Sequence, residues 1–458
     1  MIKLYLLLLF TFLLPSILWG QKKPDTTSLL HAFKSGKTSG HFRTFFMTTN
    51  NDGPLTDYYA LVFGGGIKYQ TKNFKGFQSG VSGFFTRNIT SSDLTEPDNI
   101  TNMMNRYEIG QFDQANISNK KDLQRLEDFY IKYNFKNSFL KFGKQIIKTP
   151  FINPQDGRMW PTGEQGFWLE MNEIKKTKLE IGWLTHISPR GTVKWYSASS
   201  SIGIYPTGVN IDGNKSEYKN NLRSKGIGIA GLSYAVNKNL KLQAWETLVE
   251  NIFNTILLQA DGSFTLNNKN IISGAFQYIH QDPIRQGGNP ENTKTYFDPS
   301  QKMNAFGISI GYHQKHSVIK INYSRITDDG RFLFPREWGR EPLFTFLARE
   351  RNEGSGDVNA FTINAEKRLF SQKFILELGG GYYDLPDVKD YRLNKYGMPS
   401  YFQFNFDTKY SFDGFMQGLN LELLYLYKAR KGNIYSDWKF VINKVNMHQL
   451  NVILNYNF

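Results

Sequence analysis

Five arginines stand in one short stretch: Arg331, Arg336, Arg340, Arg349 and Arg351. A guanidinium keeps its charge at any ordinary pH and grips a carboxylate through two parallel N–H bonds, so a row of them along a wall would draw anionic solutes inward. Three are followed directly by glutamate, as Arg336-Glu337, Arg340-Glu341 and Arg349-Glu350. A loop that neutralises its own charge therefore stands beside the anion-attracting wall as a reading of the same residues. A second segment, 143–166, sets Asp156, Arg158 and Glu164 among Pro150, Pro154, Gly157, Pro161 and Gly163. Proline and glycine favour a defined irregular path, and opposite charges carried on it suit a constriction. The alternative is a surface loop with no access to a pore.

Other chemistries find little support. There is no cysteine, which excludes disulfides, thiolate metal sites and a thiol nucleophile. The seven histidines, His31, His41, His186, His280, His313, His316 and His448, show no metal-binding spacing, and no GxSxG elbow occurs. Gly226, Gly228 and Gly231 match GxGxxG but lie inside an alternating segment with no helix after it, so a phosphate cradle is not expected. Gly64-Gly65-Gly66 and Gly379-Gly380-Gly381 read as places where strands bend or crowd. No cofactor, metal or catalytic residue is expected.

The elements that must position these residues are strands. Leu450, Val452, Leu454, Tyr456 and Phe458 share one face of the last segment, and Gln449, Asn451, Asn455 and Asn457 the other. Phe402, Phe404 and Phe406 alternate with Gln403, Asn405 and Asp407 in the same way. Eighteen such segments can be marked, the first at 40–50 and the last at 446–458, joined alternately by short polar turns and mostly long loops. Short connections on one rim and long ones on the other are the pattern of a transmembrane antiparallel β-barrel of up-and-down topology, an all-β fold. Tyr58, Tyr59, Trp183, Tyr278, Tyr382, Tyr410 and Tyr425 suit its aromatic girdles. By this count 147–164 is the third long-side loop, expected to fold into the lumen. Lys3, the apolar run from Leu4 to Leu14 and Gly20 read as a cleaved export signal over 1–20, followed by a periplasmic segment over 21–39 and the barrel over 40–458. Export removes nucleic acid as a partner, although 55 Lys and Arg stand against 40 Asp and Glu. Hydrophobic residues make up only 40%, which fits a chain in which alternate residues face lipid.

Thr149-Pro150, Asp156-Gly157-Arg158-Met159 with Pro161, and Gly166 with Asn172-Glu173-Ile174 resemble the OprD-type substrate-specific porins. So do Ser188-Pro189-Arg190 and the run from Pro335 to Pro342 leading into Arg349-Glu350-Arg351-Asn352-Glu353-Gly354. The resemblance implies an eighteen-stranded barrel with a narrow eyelet and a basic ladder, admitting small carboxylate-bearing nutrients. Its motif positions fall around Arg158 and Arg331–Arg351. Strand parity adds Arg43, Lys132 and Lys320 to the candidate basic lining. The terminal Phe458 resembles the aromatic last residue that such barrels present to their insertion machinery. The expected partners are outer-membrane lipid and lipopolysaccharide, that machinery, and small hydrophilic, anionic solutes. The expected function is passive diffusion without a covalent step. A structural or adhesive barrel with a blocked lumen is the alternative, and an outer-membrane hydrolase a more distant one.

Overall fold

The computed structural model describes residues 28–155 and 157–458. The expected export signal and Asp156 therefore lie outside the described residues. Eighteen long strands follow in chain order: β1 (Lys37–Asn51), β2 (Tyr58–Gln70), β3 (Phe77–Ser91), β4 (Leu123–Phe135), β5 (Ser138–Gln145), β6 (Gly163–Met171), β7 (Thr177–Ser188), β8 (Ile227–Asn237), β9 (Leu240–Val249), β10 (Phe253–Thr265), β11 (Ile271–Pro283), β12 (Met303–Gln314), β13 (Ser317–Ile326), β14 (Val358–Leu369), β15 (Phe374–Asp384), β16 (Tyr401–Ser411), β17 (Leu419–Arg430) and β18 (Met447–Asn457). A two-residue strand, Tyr196–Ser197, pairs with the end of β7 inside an outer loop. Each long strand is antiparallel to its chain neighbours, and β1 closes on β18 from His41 opposite Asn457 to Asn51 opposite Met447. Closure is what lipid demands, because it offers no hydrogen bonds to an open sheet edge.

Period-two sequence becomes two environments. Phe129 and Ile131 on β4, Phe142 on β5, Ile308 and Ile310 on β12, Ile321 on β13 and Ile363 on β14 are exposed on the outer face. Inward-facing neighbours such as Ser309, Asn322, Asn364, Asn405 and Asp407 line a wide internal cavity. Inner turns stay short, the longest being 412–418, while outer connections include 92–122, 189–226 and 327–357. A short helix, α1 (Leu29–Lys34), precedes β1, with Ser28 accepting from the His31 amide at 3.1 Å as its N-cap. Strand β1 thus begins slightly earlier than the expected position 40.

The outer half of the lumen carries apolar patches beside its polar groups, where loops fold inward. In the outer half, Phe45, Met47, Val62 and Phe84 face inward and are covered by Phe112, Met159 and Trp160 of the outer loops. A larger cluster joins Phe151 and Ile152 to Phe253, Phe332, Phe334, Trp338 and Leu347. Loops that fold inward must bury apolar surface against something, and strand residues there supply it. Tyr58, expected in a girdle, is 1% exposed and belongs to this packing. The glycine runs make room for it: a Cβ on Gly64 would meet Met159 Cε at 2.9 Å, and one on Gly379 would meet Leu347 Cδ2 at 2.9 Å.

Candidate functional site: an arginine-lined neck

Two loops converge in the lumen, the 146–162 loop between β5 and β6 and the 327–357 loop between β13 and β14. Asn153 ties them together, donating to the Arg340 carbonyl at 3.0 Å and accepting from the Arg340 amide at 3.1 Å. Thr162 donates to the Glu337 carbonyl at 3.2 Å. Trp338, wholly buried, donates through Nε1 to Ser201 Oγ at 2.8 Å and so locks the second loop to the 189–226 loop. Irregular backbone at membrane depth is tolerated here because it packs against protein and lines an aqueous path.

Between these loops lies a neck cavity of about 70 Å³ lined by Arg106, Arg158, Arg190, Arg336, Arg349 and Arg351, with Tyr107, Gln114, Gln155, Tyr205, Pro206 and Glu350. Gln155 and Arg349 also line a cavity of about 690 Å³ below it, so the two spaces meet at those side chains. Arg349 is fixed from two sides. Its Nε and Nη2 donate to Gln449 at 3.0 Å and Asn451 at 2.8 Å on β18, and Nη1 donates to the Gly157 carbonyl at 3.1 Å. Arg351 donates to the Gly339 carbonyl at 2.6 Å and to Gln155 Oε1 at 2.5 Å. Arg158 donates to the Gly157 carbonyl at 2.6 Å, and its buried Nε has no partner. All these acceptors are neutral. Burial, then the neighbouring guanidiniums of Arg349 and Arg190, push the Arg158 pKa well down, as expected where like charges share a dry space.

The carboxylates of the 327–357 loop are turned elsewhere. Glu337 accepts from the amides of Gly203 at 3.0 Å and Tyr205 at 2.9 Å. Glu341 accepts from the Asn352 and Glu353 amides at 2.8 and 3.0 Å. Glu350 pairs with Lys428 of β17 at 3.4 Å, and Glu353 with Arg336 at 3.4 Å and Lys395 at 3.9 Å. None of the adjacent Arg-Glu pairs forms an ion pair among the described residues. Glu341 is buried enough that its carboxyl is pushed from 4.5 up to about 7, with Arg351 pulling the other way. The 690 Å³ cavity differs: Lys409 pairs with Asp407 and Glu377 at 3.0 Å each, and Arg368 with Glu366 at 2.5 Å, so its charges largely cancel.

The residues singled out from sequence are distributed over this frame. Arg158, Arg336, Arg349 and Arg351 come together in the neck, while Arg340 and Lys320 line the wide cavity. Arg43 reaches from β1 to the Arg158 carbonyl at 2.7 Å, behind the loop. Lys132 on β4 lies with its Nζ 4.2 Å over the Phe139 ring, apart from the neck. Two expectations need correction. Glu164, fully buried at the start of β6, accepts from the Ile147 amide at 3.0 Å and staples the base of its loop instead of facing the constriction. Arg331, 4% exposed, donates to the carbonyls of Val209 at 2.7 Å, Asn210 at 2.9 Å, Arg392 at 3.2 Å and Tyr391, cross-tying three outer loops away from the neck. Arg106, Arg190 and Gln155 were not singled out as lining residues. Arg190 carried a signal in the Ser188-Pro189-Arg190 run; Arg106, in a polar loop, carried none.

The chain superposes on the crystal structure of Pseudomonas aeruginosa OccK9 (OpdG) with a TM-score of 0.73 and 13% identity, over 93% of this chain and 99% of that one. Acinetobacter baumannii OccAB2 gives 0.70 at 14% identity, over 93% and 99%. Pseudomonas aeruginosa OpdK, crystallised with vanillate, gives 0.67 at 12% identity, again over 93% and 99%. At such identities these likenesses speak to the fold. No curated protein sequence matches the chain. The family model described as outer membrane porin, OprD family, matches residues 107–350, more than half of the 458 residues, and takes in the 146–162 loop and almost all of the arginine-rich stretch. With that match, and a closed eighteen-stranded barrel narrowed by its own loops, the chain belongs to the OprD family of porins, passive channels of the bacterial outer membrane.

Proposed function

We propose that this porin favours small hydrophilic anions, carboxylate-bearing nutrients above all, and selects them at the neck. The observation that carries the reading is the charge balance there: six guanidiniums line the space, of which Arg336 pairs with Glu353 at 3.4 Å, against one described lining carboxylate, Glu350, which Lys428 already holds at 3.4 Å. A planar guanidinium fork fits a carboxylate in two-point contact, and a path with no deep enclosed pocket binds weakly enough to release. Arg340 and Lys320 would receive the solute in the wider cavity, and Arg43 would brace the loop from the wall. Residues 1–20 would direct export and be removed, and Phe458 would be read by the barrel insertion machinery, leaving the protein in contact with lipid and lipopolysaccharide.

The test is the purified protein in planar bilayers under a KCl gradient, with uptake of carboxylate and uncharged solutes compared in liposomes. The expected result is conduction with chloride preferred over potassium and carboxylates entering faster than uncharged solutes of equal size. Cation preference would overturn the proposal. A lumen closed at the neck has one observation in its favour, the small volume of about 70 Å³. Absence of any conductance would support that reading.

A further inference from the structure

The arrangement of the neck arginines says more than their number. Gln155 Oε1 accepts from Arg190 Nη1 and from Arg351 Nη2, the latter at 2.5 Å. The Gly157 carbonyl accepts from Arg158 Nη1 at 2.6 Å and from Arg349 Nη1 at 3.1 Å. Each neutral oxygen thus holds two guanidiniums side by side, and none of these four arginines forms an ion pair with a described carboxylate. Arg158 and Arg190 are 7% and 6% exposed, and the Nε of each is buried without a hydrogen-bond partner. Two like charges held together around a neutral acceptor, with a buried donor left over, form a pincer suited to an anion. The anchors Gln155 and Gly157 stand two residues apart, so their backbones lie within about 7 Å of each other. Asp156, between them, lies outside the described residues.

We infer that the neck is built for a two-headed dianion, a short-chain α,ω-dicarboxylate, with one carboxylate taken by the Arg190–Arg351 pincer and the other by the Arg158–Arg349 pincer. The inference rests on the anion-channel reading above and narrows it. A monocarboxylate fills one pincer and leaves the other uncompensated. Inorganic phosphate brings similar total charge on a single head and meets the same limit. A dicarboxylate engages both, its second contact being intramolecular once the first has formed.

Wild-type protein in planar bilayers carries the test, with chloride current recorded as succinate, butyrate or inorganic phosphate is added at constant ionic strength. Succinate is expected to half-block at a concentration about tenfold below either of the others, as two linked contacts exceed one. Arg190→Gln and Arg158→Gln, each of which breaks one pincer, are expected to bring succinate to the butyrate value. Equal half-blocking by succinate and butyrate, with chloride preference intact, overturns the inference and spares the anion-channel reading. Phosphate matching succinate overturns the two-headed geometry. Loss of chloride preference in the wild type overturns the reading beneath both.

Discussion

Replacing Arg349 by glutamine removes one fixed positive charge where the neck meets the wide cavity. An anion passing about 4 Å from a guanidinium gains about 1 kcal/mol when the intervening medium behaves as water and about 4 kcal/mol at the effective dielectric of a protein surface. The neck is open to the wide cavity at Gln155 and Arg349 but its guanidiniums are largely buried, so the aqueous value is a lower bound. About 1 kcal/mol corresponds to about fivefold in anion occupancy, and the chloride-to-potassium permeability ratio should fall by at least that factor, because the repulsion of potassium is relieved as well. The measurement is the reversal potential of single channels under a KCl gradient, in protein whose heat-modifiable gel mobility shows an intact barrel. Arg349→Lys is the control. It keeps the charge but cannot reproduce the bonds to Gln449 at 3.0 Å, Asn451 at 2.8 Å and the Gly157 carbonyl at 3.1 Å together. It should therefore retain most of the selectivity while showing noisier open-channel current. A folded, conducting Arg349→Gln channel with unchanged reversal potential would refute the electrostatic reasoning, and equal selectivity loss in both variants would move the effect from charge to geometry.

Glu341 should make selectivity depend on pH. Its carboxyl titrates near 7 instead of 4.5, so anion preference should decline as pH rises through about 7 and the ionised form cancels one neighbouring charge. Because the folded value lies above the unfolded one, the group's contribution to stability is fully present below about 4.5 and is lost as pH rises through about 7. Glu341→Gln should flatten the selectivity profile, and persistence of the same step would place it elsewhere. Trp338→Ala empties a wholly buried site and removes the 2.8 Å bond to Ser201. A loss of about 3–5 kcal/mol is expected, seen as a lower temperature for loss of folded gel mobility, with higher single-channel conductance as the loop loosens; unchanged values in both would show that the tryptophan does not hold the neck. Arg331→Ala should destabilise the outer loops, measured as faster proteolysis from outside, with the reversal potential unchanged. A selectivity drop like that expected of Arg349→Gln would return Arg331 to the pore wall.

Period two is a local property, which is why the strands and their inward faces were legible along the chain. Lys320 and Arg43 could be assigned to the lumen from parity alone, because successive side chains on a strand point to opposite faces. The same argument misled at Tyr58, where ring chemistry suggested a lipid interface while the inward position made it part of the loop packing. In the loops, adjacency misled differently. Arg349 and Glu350 are neighbours in sequence, yet they project apart, one to Gln449 and Asn451 and the other to Lys428. Arg106 and Arg190 join the neck from loops far away in sequence, and no local pattern brings them to Arg351.

Alternation, loop rhythm and two motif-bearing loops were enough to establish a transmembrane barrel of eighteen strands and to name the segments that narrow it. Those features follow from short-range rules: lipid on one side, lumen on the other, and a turn wherever the chain must reverse. Which charges survive in the neck was decided only in three dimensions. Backbone amides turn Glu337 and Glu341 aside, Lys428 holds Glu350, and Gln155 and Gly157 gather four arginines into two pairs. The physical reason is that hydrogen-bond and charge partners are chosen by proximity in the folded barrel, and in a closed barrel the nearest partners are often hundreds of residues away.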